Sequence, residues 1–231
     1  MDGIEAKHPA VPGSAGEHAL QAELGNERRA LAFYSNQMLD HLNPAMQAFI
    51  AEQSMMFVAS ADGHGECDCS FRAGPAGFVR VVDAKRVLWP EYRGNGVTAS
   101  AGNVRENGHL GLLLMDFLRD TVGLHINGKA SMSINGDFPD LPNDVARLIA
   151  IESAAAGGKK PAFWFLVEVE EAYIHCAKHI PRFRPADKEL DWGTDDDVKK
   201  GGDYFGVRAA RQQARPPAGA AVDAAPVRLE D

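Results

Sequence analysis

The stretch ECDCSFRAGPAGFV sets two of the chain's three cysteines, Cys67 and Cys69, beside Arg72 and the glycines Gly74 and Gly77. On an extended strand Cys67 and Cys69 share one face, and HCAKH adds His175, Cys176 and His179, so a zinc ligand set can be assembled on paper. The C-x-C spacing is not that of a structural zinc knuckle, and His175 and Cys176, as strand neighbours, point to opposite faces. These thiols therefore read as small buried apolar side chains, with no metal site and no redox C-x-x-C. The rest of the stretch carries more chemistry. A corner of small residues lets backbone amides approach a flat ligand, and Arg72 offers a fixed fork of donors suited to a phosphate or an anionic ring edge.

A second cluster, WPEYRGNGVTASAGN, places Trp89 and Tyr92 before Asn95, Gly96, Thr98, Ser100 and Asn103 at the entry to a helix. Helix N-termini attract phosphate through unpaired amides and the helix dipole. Neither a G-x-G-x-x-G fingerprint nor a P-loop occurs in this region, so a mononucleotide fits better than a dinucleotide. His125, on TVGLHING, lies on the face opposite Leu124 and Ile126 and could meet a ring edge or substrate, although a lone strand histidine is more often structural. Tyr173, His175 and Lys178 read as a solvated strand end.

These residues must be positioned by strands. Residues 17–42 carry a loose amphipathic helical pattern, and Asn43 and Pro44 cap and start a short helix to about Gln53 that buries Met46, Phe49 and Ile50. MMFVASADGHGECDCSFR and GFVRVVDAKRVLWP read as hairpins, while HLGLLLMDF, TVGLHINGKASMSI and FWFLVEVEEAYIHC add further strands. Short helices are expected between Gly96 and Asn107 and from Asn143 to Ser153. The expected fold is mainly β with peripheral helices, a six-stranded antiparallel split β-barrel. In LGLLLM both faces are apolar, so one fills the barrel and the other meets a helix or a second subunit.

The expected division is a flexible 1–16, helices over 17–54, the barrel over 55–180, an arm over 181–206 and a disordered tail over 207–231. In the arm, Tyr204 and Phe205 suit docking onto the barrel or a partner subunit. A formal charge of −8 argues against sequence-independent nucleic-acid binding. No apolar run reaches membrane-spanning length, no secretory signal opens the chain, and three closely spaced cysteines suit reduced thiols, so a cytoplasmic location is expected.

SFRAGPAGFVRV, LWPEYRGNGVTASAGNVRENGHLGLLLMDF and GLHINGKASM, in this order and spacing, resemble the pyridoxamine 5′-phosphate oxidase-like family of flavin-binding split barrels over about residues 50–180. The resemblance implies a homodimer with FMN at the subunit interface and redox chemistry carried by the flavin on a small-molecule substrate. It implies cofactor contacts from Ser70, Arg72, Gly77, Phe78, Val79, Trp89, Pro90, Tyr92, Asn95, Gly96, Ser100, Asn103 and His125. Arg72 and residues 74–79 would lie beside the flavin, and residues 95–103 near its ribityl phosphate. The Arg-Lys pair that many true oxidases place at the phosphate is missing from GNGVTASAGN, where Ala99 and Ser100 take the approximate positions, so the vitamin B6 substrate does not transfer. Two other readings stand beside this one: a flavin carrier without catalysis, and a haem-binding barrel with His125 or His175 as axial ligand.

Overall fold

The computed structural model describes residues 11–156, 159–191 and 193–213, in two units, Met1–Gly193 and Thr194–Asp231. In the first unit the helical pattern of residues 17–42 resolves into α1 (Ala15–Glu23) and α2 (Glu27–Gln37), parted by Gly25 at φ +65°. Neither helix buries a residue. The chain leaves α2 into the two-residue β1 (Met38–Leu39), then enters α3 (Pro44–Glu52). The Asn43 side chain accepts from the Met46 amide at 2.9 Å and Pro44 opens the helix, a cap worth about 1 kcal/mol. Ile50 is fully buried, and Met46 and Phe49 pack on the core.

The strands follow as β2 (Met55–Ala61), β3 (Cys67–Ala73), β4 (Arg80–Asp83), β5 (Arg86–Tyr92), β6 (His109–Met115), β7 (Gly123–Ser133) and β8 (Pro161–His175). In the first hairpin turn the Asp62 carboxylate accepts from the amides of His64 and Glu66, which locks the reversal. The strands form one antiparallel sheet in the order β3-β2-β6-β7-β8-β5-β4, with β1 paired to β8. Eight strands replace the six expected. The segments read as strands hold seven, and Met38–Leu39, expected to be helical, pairs with Tyr173 and Ala172 instead. Among the described residues no ladder joins β3 to β4, so the sheet is open, and the expected six-stranded barrel is corrected to an unclosed sheet of eight strands.

Alternation along the strands fills one side of the sheet. Met56 and Val58 of β2, Leu112 and Leu114 of β6, Leu124 and Ile126 of β7, and Phe165 and Val167 of β8 are buried in one cluster. Each such side chain contributes about 1.5–3 kcal/mol. Helix α4 (Ala99–Glu106) adds Ala101 and Val104 to it. On the opposite face of β5 and β8, Leu88, Trp164 and Leu166 meet Ile149 of α5 (Asn143–Ser153). Among the described residues no helix is long and apolar enough to cross a membrane.

In the second unit, Val207–Gln213 forms α6 where the composition predicted disorder. The Asp203 carboxylate accepts from the amides of Arg208 and Ala209 at 3.0 and 3.2 Å, and the Ala, Arg and Gln that follow are good helix formers. Tyr204 and Phe205 meet edge to face and are exposed. Of the expected flexible start, 1–16, residues 1–10 lie outside the described residues, as does the rest of the expected tail, 214–231, while Ala15 and Gly16 belong to α1.

Candidate functional site

The split between β3 and β5 is bridged by side chains. Arg72 Nε of β3 donates to Glu91 Oε2 of β5 at 2.7 Å, and a second guanidinium nitrogen reaches the Ser100 hydroxyl of α4 at 3.3 Å. Ser70 and Ser100 both donate to the Asp68 carboxylate, at 2.8 and 3.2 Å. Around this network lies a cleft of about 350 Å³ lined by Ser70, Arg72, Tyr92, Asn95, Gly96 and Ser100 among others. A neighbouring cleft of about 360 Å³ shares Arg72, Glu91 and Tyr92 and adds the apolar walls Phe71, Phe78 and Pro90.

The loop into α4 is shaped for this cleft. Gly96 and Thr98 take positive φ, +83° and +55°, and the Asn95 side chain accepts from the Val97 amide at 2.9 Å. A threonine in the left-handed region carries strain, which functional loops concentrate. The first amides of α4 lack intrahelical acceptors, as at any helix start, and Ser100 of the first turn lines the cleft. Burial pushes the Glu91 carboxyl above the usual range, with Arg72 pulling the other way and not overcoming it. Burial also raises the Tyr92 hydroxyl, helped by Glu152 and opposed by Arg80.

The glycine corner serves a different purpose from the one expected. The Gly74 amide donates to Ser54 O at 3.0 Å and the Gly77 amide to Gln53 O at 2.9 Å, so both are committed to the end of α3. Gly77 has φ +72°, and a Cβ there would lie 2.8 Å from Ala51 O. Glycine is required for packing against the chain itself, and Gly77 does not line the cleft. Val79 is buried in the core, and Phe78, also buried, touches only the second cleft. Trp89, expected as aromatic surface, is fully buried and stacked on Phe165 at 5.0 Å, because both faces of β5 are covered. Asn103 faces away from the cleft and donates to Ser60 at 2.9 Å, tying α4 to β2.

His125 stands apart, on β7. Its Nε2 lies 3.0 Å from His175 Nδ1 and its ring stacks on Tyr173 at 4.7 Å. Desolvation lowers its pKa, and the neighbouring His175 adds to the effect. His125 belongs to a row across the outer face of the sheet, Phe71, Phe57, Leu113, His125 and Tyr173, each directly opposite the next and none buried. Cys67 and Cys69 are exposed on this same face, correcting the expectation of buried thiols: β3 is an edge strand and its outer face is uncovered. Among the described residues no group of three or more His, Cys, Asp or Glu is placed to hold a metal ion.

Sequence reading missed Asp68 and Glu91, the two carboxylates of the cleft. A signal existed for Glu91, a carboxylate directly after the apolar run VLWP of β5. Its partner is 19 positions away, which no local pattern reveals.

No curated protein sequence matches the chain. HupZ of Group A Streptococcus is similar at 19% identity, over 62% of this chain and 99% of its own, with a TM-score of 0.42. HutZ of Vibrio cholerae, described as a haem storage protein, is similar at 15% identity over 58% of this chain and 93% of its own, with a TM-score of 0.38. A Clostridium acetobutylicum protein related to general stress protein 26, of the pyridoxine phosphate oxidase family, is 9% identical over 55% of this chain and 83% of its own, with a TM-score of 0.37. The sequence pattern of pyridoxamine 5′-phosphate oxidase matches residues 42–176, more than half the chain, and the chain belongs to that family.

Proposed function

We propose that the protein is an FMN-dependent oxidoreductase acting on a small molecule, and that it works as a cytoplasmic homodimer. The observation that carries this reading is the position of Arg72, reaching across the split to Ser100 in the first turn of α4. The donors that suit a phosphate are the guanidinium and the amides of a helix start, and the hydroxyls of Ser70 and Ser100 would join them by turning away from Asp68. The adjoining cleft, walled by Phe71, Phe78 and Pro90, suits a flat apolar ring. FMN would supply the hydride and electron transfer that none of these side chains can perform. Arg72 and Ser100 would bind and orient the phosphate, and the apolar walls would exclude water from the ring.

The outer-face row of Phe71, Phe57, Leu113, His125 and Tyr173 supports the homodimer, since a contiguous, partly exposed apolar stripe on a sheet suits a second copy. Three exposed free cysteines suit a reducing compartment. The test is the absorbance spectrum of the untreated purified protein, followed by FMN titration monitored by flavin fluorescence. Visible flavin bands or tight quenching are expected. A colourless protein that leaves FMN fluorescence unchanged would rule the reading out.

One observation favours a second reading, haem binding: the paired imidazoles of His125 and His175 on the outer face. Haem titration would then give a Soret band that disappears in His125→Ala or His175→Ala. An identical band in both variants and the wild type would remove these residues as ligands.

A further inference from the structure

Arg72 is engaged by a carboxylate of its own chain. Glu91 Oε2 lies 2.7 Å from Arg72 Nε, and the two side chains are only 12% and 20% exposed. On β3 a second carboxylate, Asp68, accepts from both hydroxyls of the cleft. The groups around Glu91 are few in kind. β3 presents Arg72 and Asp68, β5 flanks it with Tyr92 and Arg93 and turns toward it the Trp89 indole N–H, which favours the charged carboxylate, α4 presents the neutral Ser100, and β8 places Phe163 opposite. Arg72 is the cation in contact with it.

We propose that Glu91 and an incoming phosphate group compete for the Arg72 guanidinium, so that seating the phosphate releases the Glu91 carboxylate from its counter-ion. This deepens the FMN reading and rests on it. A buried carboxylate that loses its cation becomes the protonated acid, and burial already pushes Glu91 upward against the pull of Arg72. The exchange balances: the Arg72–phosphate contact forms, the Arg72–Glu91 contact breaks, and one proton passes from solvent to the Glu91 carboxyl. Phosphate binding is thereby linked to proton uptake and weakens as pH rises. The competition also makes the cleft selective, because a ligand must offer Arg72 more than a carboxylate does. A phosphate dianion meets that demand and an unphosphorylated flavin makes no claim on it.

The test compares FMN, riboflavin and inorganic phosphate binding to wild type and Glu91→Gln between about pH 6 and pH 8, a range over which the phosphate's own titration near pH 6 is common to both proteins. Glu91→Gln should bind FMN about tenfold more tightly than wild type at the upper end, the size of one charge-assisted contact, and the ratio should fall as pH falls. Riboflavin affinity should be equal in the two proteins. Calorimetry of wild type with FMN in two buffers of different ionisation enthalpy should show net proton uptake at the upper end, and this measurement decides alone if the variant does not fold. A ratio at or below one at high pH, a ratio that does not change with pH, or no proton uptake would overturn the proposal. If FMN fails to bind while inorganic phosphate shows the same ratio, the FMN reading falls and the competition stands. If phosphate fails as well, both fall.

Discussion

The glycine corner at residues 74–79 and the α4 entry at residues 94–100 are built from the same small residues and used in opposite ways. At the corner, Gly74 and Gly77 give their amides to Ser54 and Gln53, and the missing Cβ of Gly77 leaves room for the Ala51 carbonyl. At the α4 entry, a Cβ on Gly94 or Gly96 would meet nothing within 4 Å, and the loop borders the cleft. Small residues permit close approach in both cases. What approaches is decided by the element opposite, α3 in one and an open split in the other.

This contrast breaks first at glycine. Gly77→Ala should lower the unfolding free energy by about 2–3 kcal/mol, since it combines a left-handed φ with a contact to backbone. Gly96→Ala, equally left-handed but unobstructed, should lose about 1 kcal/mol. Urea unfolding of both variants measures the difference, and equal losses would show that the corner is not packed as described.

Arg72→Ala should weaken FMN binding by about 10- to 100-fold, whereas Arg208→Ala, in the second unit, should leave it unchanged. Fluorescence titration of the two variants checks this. The third effect is a pH dependence. Because the folded-state pKa of Glu91 is raised, its contribution to stability is fully present below the unfolded value and is lost as pH rises through the folded value. Wild type should therefore lose stability relative to Glu91→Gln over that interval, a trend that melting curves at several pH values will resolve. The smallest effect belongs to Cys67→Ala with Cys69→Ala. Both side chains are exposed, so the double variant should fold, bind FMN and change in stability by no more than about 0.5 kcal/mol.

Local chemistry carried much of the fold into the sequence. Asn43 and Pro44 announce α3 because capping depends on adjacent residues, and the Asp62 turn and the apolar runs of β2 and β6 are legible for the same reason. The site was less legible because its chemistry is assembled across the sheet. Ser70, Arg72, Tyr92, Asn95, Gly96 and Ser100 were anticipated and meet in one cleft. Trp89 was misread because an aromatic on a strand looks alike whether it faces ligand or core, and only the packing of Phe165 decides. Asp68 was missed because its role exists only where β3 meets α4. The exposed cysteines follow from β3 lying at the sheet's end, a fact of strand order that no window of β3 contains.

The split in the sheet has a kinetic consequence. Among the described residues no backbone ladder joins β3 to β5, and what ties them across the split is side-chain contact: the Arg72–Glu91 ion pair and the hydrogen bonds of Ser100 with Arg72 and Asp68. A ligand entering the cleft would then wait only on the exchange of a few side-chain partners, on the fast timescale of local opening, while the ladders from β2 through β8 keep their registers. The seam that leaves the sheet unclosed thus separates two clocks in one small unit, a quick one for the ligand and a slow one for the fold.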